Sequence, residues 1–457
     1  MSPEEFRRFG YEAIDWIADY LSHPGRYPVL PRVAPGQLLD ALPKSGPEQG
    51  EPMERLLDDF RRLIVPAVTH WNHPGFMAYF ANTSPGPGIL AELLTASLNA
   101  NAMLWKTSPA ATELEQAALD WLREWMGLPA GWFGIIYDTA STSSMHAIAA
   151  AREMADPEAR PLGASRGLTL YTSEQAHSSI EKGAMAIGVG QRNVRKIPVD
   201  AEFRMRPEAL AQAVEADLAA GLRPFCVAAT VGTTSTTSID PVPAIADVAE
   251  RHGLWLHVDA AYAGSAAIVP ELRHILAGVE RADSLVVNPH KWLFTPVDLS
   301  AFYTRRPEIL RRAFSLVPEY LRTAEDPRAV NYMDYGVPLG RRFRALKLWF
   351  VMRYFGRQRM AEIIRSQIAW ARELADAVDA DPRFERAAPA PFSVVNFRYK
   401  GTDDENRRLL EAVNASGRFF LSHTVLDGKF TLHLAIGNLG TTRDHVMQAW
   451  ETIRRAV

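Results

Sequence analysis

The sequence predicts an α/β protein with a mostly parallel central sheet and helices on both faces. Three observations carry that expectation. Between about residues 86 and 346, short apolar runs alternate with helical patterns, as βαβ units require. The runs are Phe133–Tyr137, Leu168–Tyr171, Phe225–Thr230, Leu254–Val258 and Ser284–Val287, with helices such as Val242–His252 between them. Second, Ser141, Thr234, Asp259 and Lys291 fall just beyond the carboxyl ends of apolar runs, where ligands bind in such sheets. Third, nothing before residue 75 reads as a strand, which sets the N-terminal segment apart.

That segment, residues 1–85, starts with an amphipathic helix over residues 3–21 carrying Phe6, Phe9, Ala13, Trp16, Ile17 and Tyr20 at helical spacing. Seven prolines from Pro24 to Pro52 then suit an extended arm, and a second helical pattern covers Met53–Val68. Two helices and an arm cannot bury those aromatics alone. They pack either on the chain's own main domain or on a partner subunit. Residues 86–346 form the large α/β domain. Residues 347–457 read as a smaller α+β domain, with helix at Trp349–Phe355 and Gln358–Ala380 and strands at Val394–Tyr399 and Phe430–Ile436.

At 457 residues, 47% hydrophobic and 23% charged, the chain has the composition of a globular protein with more than one domain. A net charge of −3 offers no attraction to nucleic acid or to an anionic membrane. No run of about 18 apolar residues occurs. No signal-like stretch follows Met1, and the expected location is the cytoplasm. Cys226 is the only cysteine, which excludes an internal disulfide and a cysteine-built zinc site. Gly188-Val-Gly190 lacks the third glycine of a dinucleotide fingerprint, because Asn193 occupies its place. His70 and His73 have no further ligand at suitable spacing, so no metal is expected.

The chemistry concentrates in three stretches: Trp255-Leu-His-Val-Asp-Ala-Ala-Tyr-Ala-Gly264, Ser284-Leu-Val-Val-Asn-Pro-His-Lys-Trp292 and Gln175-Ala-His-Ser-Ser179. An amine and a carboxylate, each ending an apolar strand, suit pyridoxal 5'-phosphate. That cofactor needs a lysine for its Schiff base and an acid opposite its ring nitrogen. Most lysines are solvated, but Val286, Val287, Trp292, Leu293 and Phe294 predict burial of Lys291. Burial disfavours the charged amine and leaves it nucleophilic. The Asp138-Thr-Ala-Ser-Thr-Ser-Ser144 run opens a helix, so it is either a cap or an anion cradle.

These motifs, in this order, resemble the pyridoxal-phosphate-dependent group II amino-acid decarboxylases, with the aromatic-L-amino-acid decarboxylases most similar. The resemblance runs from Phe6 to Arg342 and weakens after about residue 390. It implies the type I fold of pyridoxal-phosphate enzymes, a homodimer embraced by residues 1–85, and an arylalkylamine product. It assigns the cofactor to Lys291, Asp259, His177, Ala140, Ser141, Thr234, Ala261, Asn288 and His290. Asp138 and Thr142 stand where relatives usually carry glycine and glutamate, a departure at the outer phosphate contacts. His177 matches a histidine that stacks on the ring and assists proton transfer. Tyr320 matches a loop tyrosine that returns a proton to the α-carbon, and relatives with phenylalanine there tend to make aldehydes. Trp71, Tyr79 and Phe80 match aromatic substrate-pocket positions, and Gly340 matches one where glycine leaves room for a large ring. Asn101 and Met103 depart from the apolar and aromatic residues of animal relatives, which leaves the ring preference open. An aldehyde synthase on the same scaffold is the alternative. A decarboxylase of acidic amino acids is disfavoured by the aromatics, and a silent binding protein by intact Lys291, Asp259 and His177.

Overall fold

The computed structural model of the chain describes residues 1–316, 323 and 328–457. Its centre is a seven-stranded sheet of β1 (Phe133–Tyr137), β2 (Leu168–Ser173), β3 (Val194–Ile197), β4 (Arg223–Thr230), β5 (Trp255–Asp259), β6 (Ser284–Val287) and β7 (Ser300–Thr304). The spatial order is β1-β7-β6-β5-β4-β2-β3. Neighbours from β3 through β6 pair in parallel, while β7 runs antiparallel to both β6 and β1. β2, β5 and β6 are buried along their whole length and β4 over its last six residues, as strands covered on both faces require. Sequence pattern misses β3 and β7 for different reasons. β3 is an edge strand with Arg195 and Lys196 at its centre, a placement that discourages further pairing. β7 reads Ser-Ala-Phe-Tyr-Thr, too small and polar to register as an apolar run, yet every residue in it is buried.

A second, antiparallel sheet has the order β10-β11-β9-β8, built from β8 (Phe384–Arg386), β9 (Val394–Tyr399), β10 (Ser422–Leu426) and β11 (Lys429–Ala435). The long helix Ala345–Ala380 joins the two regions, with Leu348, Val351 and Ile364 in the large core and Leu374 and Val378 in the small one. It breaks at Gly356, which adopts φ 67° and ψ 159°, where a residue with a Cβ would be strained.

The N-terminal helix spans Pro3–Ser22 and is closed by a capping box between Ser2 and Glu5. Among the seven prolines a tight helical turn forms at Pro24–Arg26 and a short α-helix at Gln37–Ala41. The Met53–Val68 pattern resolves into a helix at Met53–Asp59, a wider turn at Phe60–Ile64 and a tight one at Val65–Ala67, where Pro66 lacks the N–H to continue. Part of the segment packs on its own chain, because Met77 donates to Phe420 O, accepts from Ala435 N and joins the small-sheet core. Phe6 and Tyr11 nevertheless stay 63% and 66% exposed. They line an apolar cleft with Ile89 and Leu93 of the helix Gly86–Leu98, and Leu90, Leu94 and Leu98 of that helix are exposed as well. So much contiguous apolar surface marks an interaction face. Among the described residues no helix is long and apolar enough to cross a membrane.

Candidate active site

The carboxyl ends of β2, β4, β5 and β6 converge on a cavity of about 200 Å³. Its walls include Lys291, Asp259, His177, Ala140, Ser141, Thr234, Ala261, Asn288, His290 and Phe80 from the sequence expectations. Thr139, Thr230, Gly232 and Tyr262 complete it and are not among those expectations. Thr230 was legible in principle, since it ends β4 as Asp259 ends β5, its register partner.

Asp259 is buried at the end of β5, and its Oδ1 accepts the Ala261 N–H at 3.1 Å. Asn288 N–H donates to Ala261 O at 3.0 Å, which ties the turn after β5 to the turn after β6. Pro289 then starts the short helical turn Pro289–Trp292 that carries Lys291. Lys291 is half-buried because the cavity lies in front of it; protein surrounds it elsewhere. That enclosure lowers the pKa of its amine, partly opposed by the Asp259 charge. Nζ lies 5.0 Å from the centroid of the Phe80 ring. Phe80 stacks on Tyr262 at 3.9 Å and Tyr262 on Trp292 at 4.7 Å, an aromatic wall beside the amine. Trp292 is fixed in turn by its indole N–H to Gln367 Oε1 at 2.6 Å.

His177 stands at the mouth, exposed toward the cavity. Ser179 N–H donates to its Nδ1 at 3.2 Å, with Ser179 Oγ 2.8 Å from the same atom. Nδ1 is therefore an acceptor, and the neutral ring carries its hydrogen on Nε2. Partial enclosure lowers its pKa, opposed by Asp259 and reinforced by Lys291. Gly232 shapes the floor at φ +87°, and a Cβ there would come 2.5 Å from that of Ala263.

The opposite end suits an anion. The helix Ala140–Ala155 begins in the cavity wall, and its first intrahelical bond is Ser143 N–H to Thr139 O. The N–H groups of Ala140, Ser141 and Thr142 are thus left free for a ligand. His290 is buried and neutral, its pKa pushed down to about 4 by burial and by Lys291. Its Nδ1 accepts from Leu299 N–H at 3.0 Å, so Nε2 carries the hydrogen. Asn288 Oδ1 is buried without a partner among the described residues, a cost a polar ligand would relieve. Free amides for a phosphate, a carboxylate for a ring nitrogen, an amine for an aldehyde and an alanine flank for a flat ring together fit pyridoxal 5'-phosphate.

Of the remaining expected residues, Trp71, Tyr79, Asn101, Met103 and Gly340 do not line this cavity within one chain. Asn101, Met103 and Gly340 gather elsewhere: Asn101 Nδ2 is 3.6 Å from Met103 Sδ, and Arg341 N–H donates to Asn101 Oδ1 at 3.0 Å. A Cβ on Gly340 would meet only Asn101 Nδ2, at 3.8 Å. Glycine is therefore not forced by packing there; it leaves space. Trp71 stacks on Phe76 at 4.2 Å, and Tyr79 is 54% exposed with a strained φ of 52°. Ser422 Oγ and His433 Nε2 hold the Tyr79 backbone in that shape. Tyr320 lies outside the described residues.

Arg341 anchors the Gly340 cluster. Buried, it pairs with buried Glu115 at 2.7 Å and donates to Ile136 O at 2.8 Å. Arg341→Ala leaves Glu115 without its cation, so a loss of about 3–5 kcal/mol is expected in urea unfolding. A loss below about 1 kcal/mol, the surface-pair range, contradicts this reading.

Buried imidazoles also set the acid response. His73, His146, His257 and His290 have pKa values lowered by burial to about 4, from an ordinary 6.5. Between those values the unfolded chain binds protons the native one refuses. Native stability is therefore complete above pH 6.5 and declines as pH falls toward 4, by up to roughly 3 kcal/mol per histidine. Asp240, raised by burial to about 6, gains stability on acidification, one group against these four histidines. The urea midpoint is expected to fall between pH 6.5 and 4.5, and a constant midpoint contradicts the assignment.

Comparison with known proteins agrees with this geometry. Residues 35–400 match the family model described as the pyridoxal-dependent decarboxylase conserved domain. A phenylacetaldehyde synthase of Arabidopsis thaliana is 42% identical over 99% of this chain and 96% of its own. The tryptophan decarboxylase TDC2 of Camptotheca acuminata is also 42% identical, over 99% and 95%. The crystal structure of Oryza sativa TDC with PLP and tryptamine superposes with a TM-score of 0.96 at 38% identity, covering 100% of this chain and 98% of that one. The cavity at the strand ends and the match along most of the sequence lead to one conclusion: this chain belongs to the pyridoxal-dependent decarboxylase family, with pyridoxal 5'-phosphate as its cofactor.

Proposed function

We propose that the protein decarboxylates an aromatic L-amino acid, of the tryptophan, 5-hydroxytryptophan, tyrosine, phenylalanine and dihydroxyphenylalanine class, to the arylalkylamine and carbon dioxide. The observation that carries this reading is the convergence of Lys291, Asp259 and His177 on one cavity beside the Phe80 and Tyr262 rings. Relatives named for tryptophan decarboxylation and for a phenyl-substituted product support an aromatic substrate.

When bound, the cofactor's protonated ring accepts the electron pair freed as the carboxylate leaves. The chain's residues prepare that event. Lys291 Nζ, its proton affinity lowered by its enclosure, would capture the aldehyde carbon and be available afterwards as a base. Asp259 accepts a charge-assisted hydrogen bond and holds the ring nitrogen's proton in place. Ala140, Ser141, Asn288 and His290 would hold the phosphate and Ala261 would pack against the ring, with Thr234 in the same cavity wall. The aromatic wall excludes water and limits stray protonation. His177 Nε2–H and the Tyr320 hydroxyl deliver the proton to the substrate's α-carbon.

The working unit is a homodimer in this reading, with residues 1–85 lying over the partner. The exposed Phe6, Tyr11, Leu90 and Leu93 face supports it. Asn101, Met103 and Gly340 stand apart from the cavity in their own chain. They would meet substrate across that interface, beside Trp71 and Tyr79.

The synthase relative keeps aldehyde formation as the second reading. Product analysis under air tests both, with the five acids and with glutamate as a control. Amine and carbon dioxide in equal amounts from an aromatic acid are expected, without ammonia or peroxide. Tyr320→Phe is expected to retain cofactor while shifting product toward aldehyde, ammonia and peroxide as oxygen is consumed. Aldehyde from the parent overturns the first reading. Unchanged amine output from the variant removes Tyr320 from the proton path.

A further inference from the structure

Behind the cavity, helix and sheet are joined by a buried chain of polar side chains that the chemistry above does not use. His257 lies on β5 two residues before Asp259 and is fully buried. Its Nε2 is 3.1 Å from Ser144 Oγ, on the helix Ala140–Ala155 about one turn beyond the free amides of Ala140 and Ser141. Its Nδ1 is 2.9 Å from Ser284 Oγ, the first residue of β6, and His257 and Ser284 are register partners. β6 leads directly into Asn288 and Lys291. Trp255 Nε1–H donates to the same Ser284 Oγ at 2.9 Å and fixes that hydroxyl. Burial keeps the imidazole neutral, so one ring nitrogen donates and the other accepts, and hydroxyl partners can satisfy either arrangement.

A further hydrogen bond, Ser143 Oγ to Ser300 Oγ at 2.8 Å, ties the helix to the antiparallel strand β7; the apolar contacts with the sheet include Ala147, Ile148 and Ala151 against Phe302 and Cys226. Such contacts are non-directional and tolerate sliding. Hydrogen bonds in a dry interior do not, because each has a narrow range of length and angle and leaves a costly orphan when broken. We propose that His257 is a positioning residue for the cofactor. It spaces the phosphate-end helix from the strands that carry Asp259 and lead to Lys291, so that one molecule is gripped at phosphate and ring together. The proposal rests on the placement of phosphate and ring given under the proposed function.

The experiment titrates full-length protein, freed of cofactor, with pyridoxal 5'-phosphate and with phosphate-free pyridoxal, following the visible absorption band. Ser144→Ala removes one hydroxyl at a helical position that favours alanine, and His257→Leu removes both contacts. In each variant the preference for the phosphorylated ligand over pyridoxal is expected to fall about tenfold, a difference of one hydrogen bond's order. Pyridoxal affinity itself stays within about twofold. His257→Gln, whose amide reaches toward Ser144, is expected to restore part of the preference. If both affinities weaken together alongside a lowered melting temperature, the role is only structural and the proposal is overturned. An unchanged preference in Ser144→Ala overturns it too, and that variant decides the matter should His257→Leu not fold. The underlying site assignment fails in a different way: the unsubstituted protein would show no preference for the phosphorylated ligand at all.

Discussion

Lys291→Ala is expected to lose the visible band of lysine-linked cofactor and to lower turnover by roughly 10³-fold or more, the scale of removing a group that acts in both covalent capture and proton transfer. The effect is large because nothing nearby can substitute. Among the described residues Lys291 is the one lysine lining the cavity, and its lowered pKa comes from an enclosure that an added amine would not share. Loss of turnover with melting behaviour preserved separates the chemical role from a structural one. A variant that keeps the band, or a tenth of the parent rate, contradicts the assignment.

Asp259→Asn is expected to retain the fold and most cofactor, because the amide keeps the size of the side chain and can still accept from Ala261 N–H. It cannot hold a proton on the ring nitrogen as a carboxylate does, so kcat is expected to fall about 10²- to 10⁴-fold. KM should change far less, since Asp259 acts on the ring and not on the aromatic part of the substrate. A rise in KM with kcat intact would place Asp259 in substrate binding instead.

Strand ends were the most legible feature of this chain. β1 and β6 occur as read, and β4 and β5 carry their terminal Thr230 and Asp259 into the cavity wall, because apolar runs that end in a polar residue have few ways to fold. Contacts made by shape were less legible. The Phe80–Tyr262–Trp292 stack joins residues 182 and 30 positions apart in sequence, and no local pattern announces it. Tyr262 lies within the Trp255–Gly264 stretch, but nothing local marks it as part of the wall. Trp71, Tyr79, Asn101, Met103 and Gly340 were named by resemblance alone, and within one chain they lie off the cavity lining. Periodicity cannot tell which residues complete a site across an interface. The two cores were half legible: the Gly356 break appeared as a gap between two helical patterns, but β8 and β10 are short or half exposed and left no apolar run.

The most direct test of the central claim, that the cavity at the strand ends is the cofactor site and Lys291 its anchor, is borohydride reduction of the holoprotein followed by peptide mapping. The reduced pyridoxyl label is expected on the peptide containing Asn288-Pro-His-Lys-Trp292, at Lys291, in an amount equal to the cofactor bound. Label on another lysine, or none retained after denaturation, would contradict the claim.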